Sequence, residues 1–248
     1  MHYKPPGGIT QLNKRHAQIN SEEKHHTAGD YYKFDLHVHT IYSKDALIKP
    51  SEIPKIVIRK GLNGIAITDH NEIKGAFALK KIIDRKSTDL LLVIGEEIRT
   101  NKGEVLALFI QEEVKSREFN EVIDEIRDQD GIAIAPHPFD THRSSVASLY
   151  NELDGIEVFN SRCLSLKPNI EAISAYRENS RKKLMTAGSD AHFPFELGNA
   201  YVTSMSLDLL DEMRKRKIGF SGKLSPPIVH LLSSIRKVIP NELLLGVR

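Results

Sequence analysis

From residue 33 onward, short apolar runs alternate with amphipathic stretches. The runs FDLHVH (34–39), GIAIT (64–68), LLLVIGEEI (90–98), EVLALFI (104–110), IAIAPH (132–137), GIEVFN (155–160), LMTAGS (184–189) and AYVTS (200–204) predict strands. Helical spacing fills several intervals. Ser51, after Pro50, is placed to cap a helix over 51–60. Ile73, Ala76, Phe77 and Ile83 share one side of 72–83, and Phe119, Val122, Ile123 and Ile126 have the i, i+3, i+4, i+7 spacing of a buried face. Strands alternating with helices predict a largely parallel sheet. The exception is 90–110, where only RTNKG separates two runs, so a hairpin is expected. The fold class is therefore α/β, with seven or eight strands favouring one barrel-like domain over residues 31–218. In the C-terminal segment, 219–248, Ile228, Leu231, Leu232 and Ile235 predict an amphipathic helix, with His230 off that side and at the surface.

Residues 1–30 are polar, contain Pro5, Pro6, Gly7 and Gly8, and show no sustained periodicity; a mostly disordered extension is expected. Across the 248 residues, 40% are hydrophobic and 27% charged, which excludes wholesale disorder, collagen-like repeats and coiled coil. No run approaches the ~18 apolar residues of a membrane span, and MHYKPPGGIT holds no signal-peptide core. The lone Cys163 cannot form an internal disulfide and suits a reducing cytoplasm. Thirty-five basic against thirty-three acidic side chains leave +2, too small a bias for a nucleic-acid coat. Nucleic acid is expected only as a substrate.

Eleven histidines are unusual, and their positions matter. His2, His16, His25 and His26 fall in the polar extension and read as solvated. The others include a set at strand ends. In DLHVHT, alternation puts Asp35, His37 and His39 on one face. The next strands run into Thr68-Asp69-His70, Gly95-Glu96-Glu97, Pro136-His137, Glu157-Val158-Phe159-Asn160 and Ser189-Asp190-Ala191-His192. Each has an ordinary structural explanation, such as helix capping by Asp69 or Asp190. Their joint placement does not. In a closed parallel barrel all strand carboxyl ends open on one face. So many ionisable groups there are costly to desolvate unless divalent cations compensate them.

The ordered set DLHVHT, ITDHN, GEE, APHP, EVFN and GSDAHFPFELG, spanning 35–198, resembles the polymerase-and-histidinol-phosphatase (PHP) family of metal-dependent phosphoesterases. The resemblance implies a distorted seven-stranded, TIM-like (β/α) barrel that binds two or three divalent ions (zinc, manganese or iron) and hydrolyses phosphate esters. Carried across by position, His37, His39, Glu97 and Asp190 hold a first ion. Glu97 bridges to a second ion that His137 also holds, and Asp45, His70 and His192 hold a third. Glu97, Asp190 and His192 form the catalytic core of this set. Asp69 and Asn160 orient ligands without binding metal. One position departs from the pattern: Glu104 stands where many members carry a histidine ligand of the second ion, and manganese becomes plausible. Arg143 and Arg162 follow two site strands and could grip phosphate, or could be ordinary surface arginines.

The substrate expected is a phosphomonoester of a nucleotide or of an oligonucleotide end; a histidinol-phosphate-type small molecule is the alternative. Two other classes compete. Two-ion amidohydrolases bridge their ions through a strand-end lysine, which is missing here, and TatD-like nucleases lack the combined TDH and SDAH elements. A non-catalytic metal-binding domain would be favoured by a missing ligand, yet every expected position holds a residue able to coordinate. Oligomeric state is not readable from the sequence.

Overall fold

The computed structural model describes residues 18–20, 31–86, 88–180 and 182–239. Its strands are β1 (Gln18–Asn20), β2 (Tyr32–Val38), β3 (Gly64–Ile67), β4 (Leu91–Thr100), β5 (Gly103–Leu108), β6 (Ile132–Ala135), β7 (Gly155–Asn160), β8 (Leu184–Gly188), β9 (Ala200–Ser204) and β10 (Gly219–Lys223). The helices are α1 (Ile53–Lys60), α2 (Lys74–Lys86), α3 (Phe119–Asp128), α4 (Lys167–Asn179), α5 (Leu209–Arg214) and α6 (Ile228–Val238).

The strands form one sheet in the order β1-β10-β9-β2-β3-β4-β5-β6-β7-β8. β2, β3 and β4 are parallel, β5 is antiparallel to both neighbours, and β6, β7 and β8 resume the first direction. The β4–β5 pair is the hairpin expected over 90–110. Its turn needs Gly103, whose φ of +128° few side chains tolerate.

β8 curls back towards β2, so the sheet nearly closes. Val38 bridges to Ala191, and the His39 amide donates to the Ala191 carbonyl at 2.9 Å. Gly188 lies so close that a Cβ there would fall 2.3 Å from His37 Cβ. Every residue of GIAI and of IAIA is buried, because parallel strands here are covered on both faces. That is why the sequence shows continuous apolar runs instead of alternation. Leu36, Leu106, Ile134, Ile156 and Phe159 pack with Val202 and Phe220 of β9 and β10. α3 covers β5 and β6, while α1 and α2 cover β2 and β3.

Four sequence expectations change. β10 lies beyond residue 218, the expected end of the barrel, yet pairs with β9 along Gly219–Gly222. Its GFSGK sequence shows no apolar run, and Gly222 is needed because a Cβ would meet the Phe159 ring at 2.5 Å. Within the expected extension, Gln18–Asn20 pair with β10, since edge pairing uses main-chain groups and needs no side-chain pattern. The remainder of 1–30 lies outside the described residues. Finally, α6 turns Val229, Ser233 and Arg236 inward, leaving Ile228, Leu231 and Ile235 exposed. The surface it meets is polar: Ser233 Oγ donates to the Asp45 carbonyl (3.3 Å) and Arg236 Nε to the Ala46 carbonyl (3.2 Å). His230, expected at the surface, is half-buried at the edge of a cleft.

Candidate metal centre

The parallel strands end on one side of the barrel, and their polar residues follow the last apolar ones. β2 brings His37 and leads to His39; β3 leads to Asp69 and His70. β4 carries Glu97, β5 carries Glu104, and β6 leads to His137. β8 leads to Asp190 and His192, and Asp45 comes from the loop after β2. Left-handed backbone aims two of these side chains, at His137 (φ 31°) and Asp190 (φ 53°).

Glu97 is the hub. Its Oε1 lies 3.4 Å from His37 Nε2 and 3.0 Å from His137 Nε2. Its Oε2 lies 3.4 Å from His39 Nε2 and 2.9 Å from His70 Nδ1. Asp190 Oδ1 is 3.3 Å from His39 Nε2 and 3.8 Å from His37 Nε2. Asp45 Oδ1 is 3.4 Å from His192 Nε2 and 3.6 Å from His70 Nε2. Glu104 Oε2 is 3.8 Å from His137 Nε2. Three overlapping triads result: His37, His39 and Glu97; His39, His70 and His192; Glu97, Glu104 and His137. All nine residues that the sequence singles out as ligands meet in this bowl.

His37 Nε2, His39 Nε2, Asp45 Oδ1, Glu97 Oε2 and Asp190 Oδ1 are buried without a hydrogen-bond partner. A buried polar atom left unpaired costs about 1–3 kcal/mol. Five of them turned towards one another would be a heavy structural burden. Divalent cations fit such a set, because imidazole nitrogen and carboxylate oxygen are the donors they take.

The electrostatics match. Burial opposes ionisation of Glu97, but His37 and His70 outweigh it and hold the carboxyl well below its usual range. Asp190 is likewise held low against burial, by Arg143 and His37. Burial disfavours charge on His37, yet Asp190, Glu157 and Glu97 raise its pKa well above the ordinary value. His39 goes the other way, lowered by burial and by His192 and His70. Glu104 is raised by burial and by the neighbouring Glu97.

A second layer holds these groups. Asp69 accepts from the Thr40 amide (2.6 Å), Thr40 Oγ1 (2.7 Å) and Ser43 Oγ (2.7 Å), so it fixes the loop after β2 and touches no metal-facing atom. Asn160 Nδ2 donates to Glu157 Oε2 (2.9 Å) and Asp190 Oδ2 (3.1 Å). Three further members are buried acids outside the predicted set. Glu157 accepts from His37 Nδ1 and the His137 amide, both at 2.9 Å, which turns His37 Nε2 towards Glu97. Asp35 accepts from the Ser189 amide (2.8 Å) and Gly198 amide (2.8 Å), tying β2 to the β8 end. Glu196 accepts from the His192 and Phe193 amides, both at 3.1 Å. The available signal was an acid inside an apolar stretch, as in GIEVF and FPFELG.

The bowl opens into a cleft of about 1030 Å³, whose walls include Tyr42, Lys44, Arg99, Arg143, His230 and Lys237. Arg143 Nη1 donates to Asp190 Oδ2 at the cleft wall. Arg162 also borders the cleft but is buried, and its Nη2 donates to the Val229 carbonyl (3.0 Å) and Ser233 Oγ (2.9 Å). It is neither a surface arginine nor a free one, since α6 occupies part of its fork. No helix among the described residues is long and apolar enough to cross a membrane.

Comparison with known proteins gives the same picture. A protein of Methanocaldococcus jannaschii is 38% identical over 188 residues, 71% of this chain and 72% of its own. A two-domain protein from Bacteroides vulgatus, containing a predicted PHP-like metal-dependent phosphoesterase, superimposes with a TM-score of 0.65 at 19% identity, over 86% of this chain and 73% of its own. An amidohydrolase from Chromobacterium violaceum, with bound sulfate and no metal, does so with a TM-score of 0.54 at 15% identity, over 82% and 96%. The model of the PHP domain matches residues 35–159, and that of the PHP-associated region matches 168–218. With half of its length matched in this way and a relative of that identity, the chain belongs to the PHP domain family.

Proposed function

We propose that this protein is a metal-dependent phosphoesterase that hydrolyses the phosphomonoester of a nucleotide or of an oligonucleotide end in the cytoplasm. The observation that carries the reading is the group of five buried, unpaired donor atoms from His37, His39, Asp45, Glu97 and Asp190, with the Arg143 guanidinium beside them. His37, His39, Glu97 and Asp190 would hold a first divalent ion; Glu97, Glu104 and His137 a second; Asp45, His70 and His192 a third. When bound, such ions supply Lewis acidity, bringing a water's ionisation near neutral pH and matching charge on phosphoryl oxygens.

The chain's own residues do the positioning. Glu157 orients the His37 ring and Asp69 fixes the loop after β2. Arg143, always charged and held against Asp190, presents its remaining N–H groups to a phosphoryl oxygen at the cleft wall. His192 Nδ1 is tied to the Asp190 carbonyl (2.8 Å), so Nε2 faces Asp45. The cleft volume leaves room for a leaving group of nucleotide size beyond the phosphate. None of the described strands that supply the donor set ends in a lysine, and the lysine that reaches the set, Lys237 at 3.1 Å from Asp45 Oδ2, comes from α6, which favours this chemistry over an amidohydrolase bridged by a strand-end lysine. The single Cys163 is a buried free thiol, as suits a reducing compartment.

The test is a phosphatase panel on protein loaded separately with manganese, zinc and iron: an aryl phosphate, nucleoside monophosphates, oligonucleotides with terminal phosphates, and histidinol phosphate. Turnover of nucleotide-type esters well above the others is expected. No turnover of any phosphomonoester at full metal content would leave a metal-binding domain without catalysis. Preference for histidinol phosphate would overturn the substrate class alone.

A further inference from the structure

Helix α6 has two unlike faces. One is fixed to the barrel through Val229, Ser233 and Arg236, as described above. The other presents Ile228 (51% exposed), Leu231 (55%), Ile235 (46%) and Val238 (78%). Their spacing is three, four and three residues, the a/d seam by which one helix packs on another. A helix held to a barrel largely through polar contacts has no use for an apolar stripe turned outward. Ile58 of α1, also exposed, is by contrast flanked by Lys55 and Arg59 and forms no stripe.

The flanks of the seam decide what covers it. Leu232 and Ser234 border the stripe and carry no charge. The charged residues of α6 point away from it: Arg236 is buried, and Lys237 Nζ reaches to 3.1 Å from Asp45 Oδ2. Two copies of this face can therefore meet without like-charge repulsion, the usual barrier to pairing of identical helices.

We propose that α6 is a self-association surface whose occupant is α6 of a second copy, with Ile228, Leu231, Ile235 and Val238 interlocking about a two-fold axis. The four side chains expose roughly 400 Å² per copy, comparable to the largest apolar patch of an ordinary monomer. A pair burying only that area falls below the ~1,200 Å² of firm complexes, so the association is weak and concentration-dependent. Because Lys237 and Ser233 on the same helix contact the Asp45 segment, pairing also steadies one wall of the cleft. This inference does not depend on the reaction proposed above.

The test is sedimentation equilibrium of the full chain over about 1–200 µM, which brackets interfaces of this size. A reversible shift from monomer towards dimer is expected. The double variants Leu231→Glu with Ile235→Glu, and Leu231→Lys with Ile235→Lys, should each remain monomeric throughout that range. Their thermal midpoints should match the wild type, because both positions are half-exposed. Mixing the two variants should restore a dimer, whichever way the helices run. A wild type that stays monomeric, a dimer that survives either double variant, or a mixture that stays monomeric overturns the proposal. The last result would indicate another cover for the seam, such as the segment 240–248 with Leu243, Leu244 and Leu245.

Discussion

At the amino ends of the strands, Lys183 Nζ donates to the carbonyls of Asn151 (2.7 Å) and Leu153, and Asp154 both pairs with Arg127 (2.6 Å) and accepts from the Ala133 amide (2.9 Å). At the carboxyl ends, five buried donor atoms of His37, His39, Asp45, Glu97 and Asp190 have no hydrogen-bond partner and face only other members of the set. Both ends bury charged groups, but Lys183 and Asp154 find partners within the chain and the carboxyl-end set does not. Groups kept for stability are paired, since an unpaired buried group costs more than its absence. Groups left unpaired together have their partner outside the chain. That difference, more than the mere presence of histidines, separates a ligand site from a polar core.

The comparison breaks most sharply at the first donor set. Asp190→Asn and His37→Ala should each lower turnover by about 10³-fold or more, the scale of losing a group that acts at the reacting centre, with metal content reduced and the circular dichroism spectrum unchanged. Near-wild-type turnover with full metal content in either variant would contradict the assignment. The opposite end should behave inversely. Lys183→Met leaves two carbonyls without their donor and should cost about 2–3 kcal/mol of stability, read by denaturant unfolding, with kcat retained in the folded fraction.

Glu96 sharpens the contrast, because it neighbours Glu97 in sequence but faces the other side of β4. Burial pushes its carboxyl up to about 7 from an ordinary 4.5. The unfolded chain releases this proton near 4.5 and the folded chain near 7, so this group's contribution to stability falls as pH rises between those values. Glu96→Gln should remove that slope, gaining about 3 kcal/mol well above pH 7 and nothing below pH 4. Equal pH profiles for the two proteins would show that Glu96 ionises normally. The smallest effect is expected at Glu104, which lies 3.8 Å from His137 and adds an oxygen donor where an imidazole would add nitrogen. Manganese should support activity at least as well as zinc, and Glu104→His should shift the preference towards zinc. Glu104→Gln should lower turnover by about tenfold. Indistinguishable metal titrations of wild type and both variants would remove Glu104 from the donor set.

Most of the bowl is legible in the sequence because strand ends announce themselves. An apolar run followed by histidine or aspartate gives the element and its polar tip together, as in GIAITDH and TAGSDAH. The hairpin over 90–110 is legible from its short connection. What escapes is whatever depends on partners distant in sequence. Glu157 and Asp35 look like isolated acids inside strands until the fold sets them against His37, His137 and Ser189. β10 is hidden because Gly222 answers to Phe159, a residue more than sixty positions earlier. The inward face of α6 escapes for a related reason. Its apolar stripe reads as core, whereas the surface that receives it offers the carbonyls of Asp45 and Ala46 and selects Ser233 and Arg236.

The close approach of Gly188 to His37 has a consequence for the order of events in folding. The donors of the first set come from β2, β4 and the end of β8, so His37 and Asp190 meet only when the last barrel strand arrives beside the first. A chain still emerging from the ribosome, with β8 not yet made, holds only a fraction of the set. Strong metal capture is thereby postponed until the barrel is complete, since affinity depends on all ligands being in place. Contacts so far apart in sequence also form slowly. Metal uptake after dilution from denaturant would then serve as a clock for the final closure, running no faster than the recovery of the β2–β8 contact.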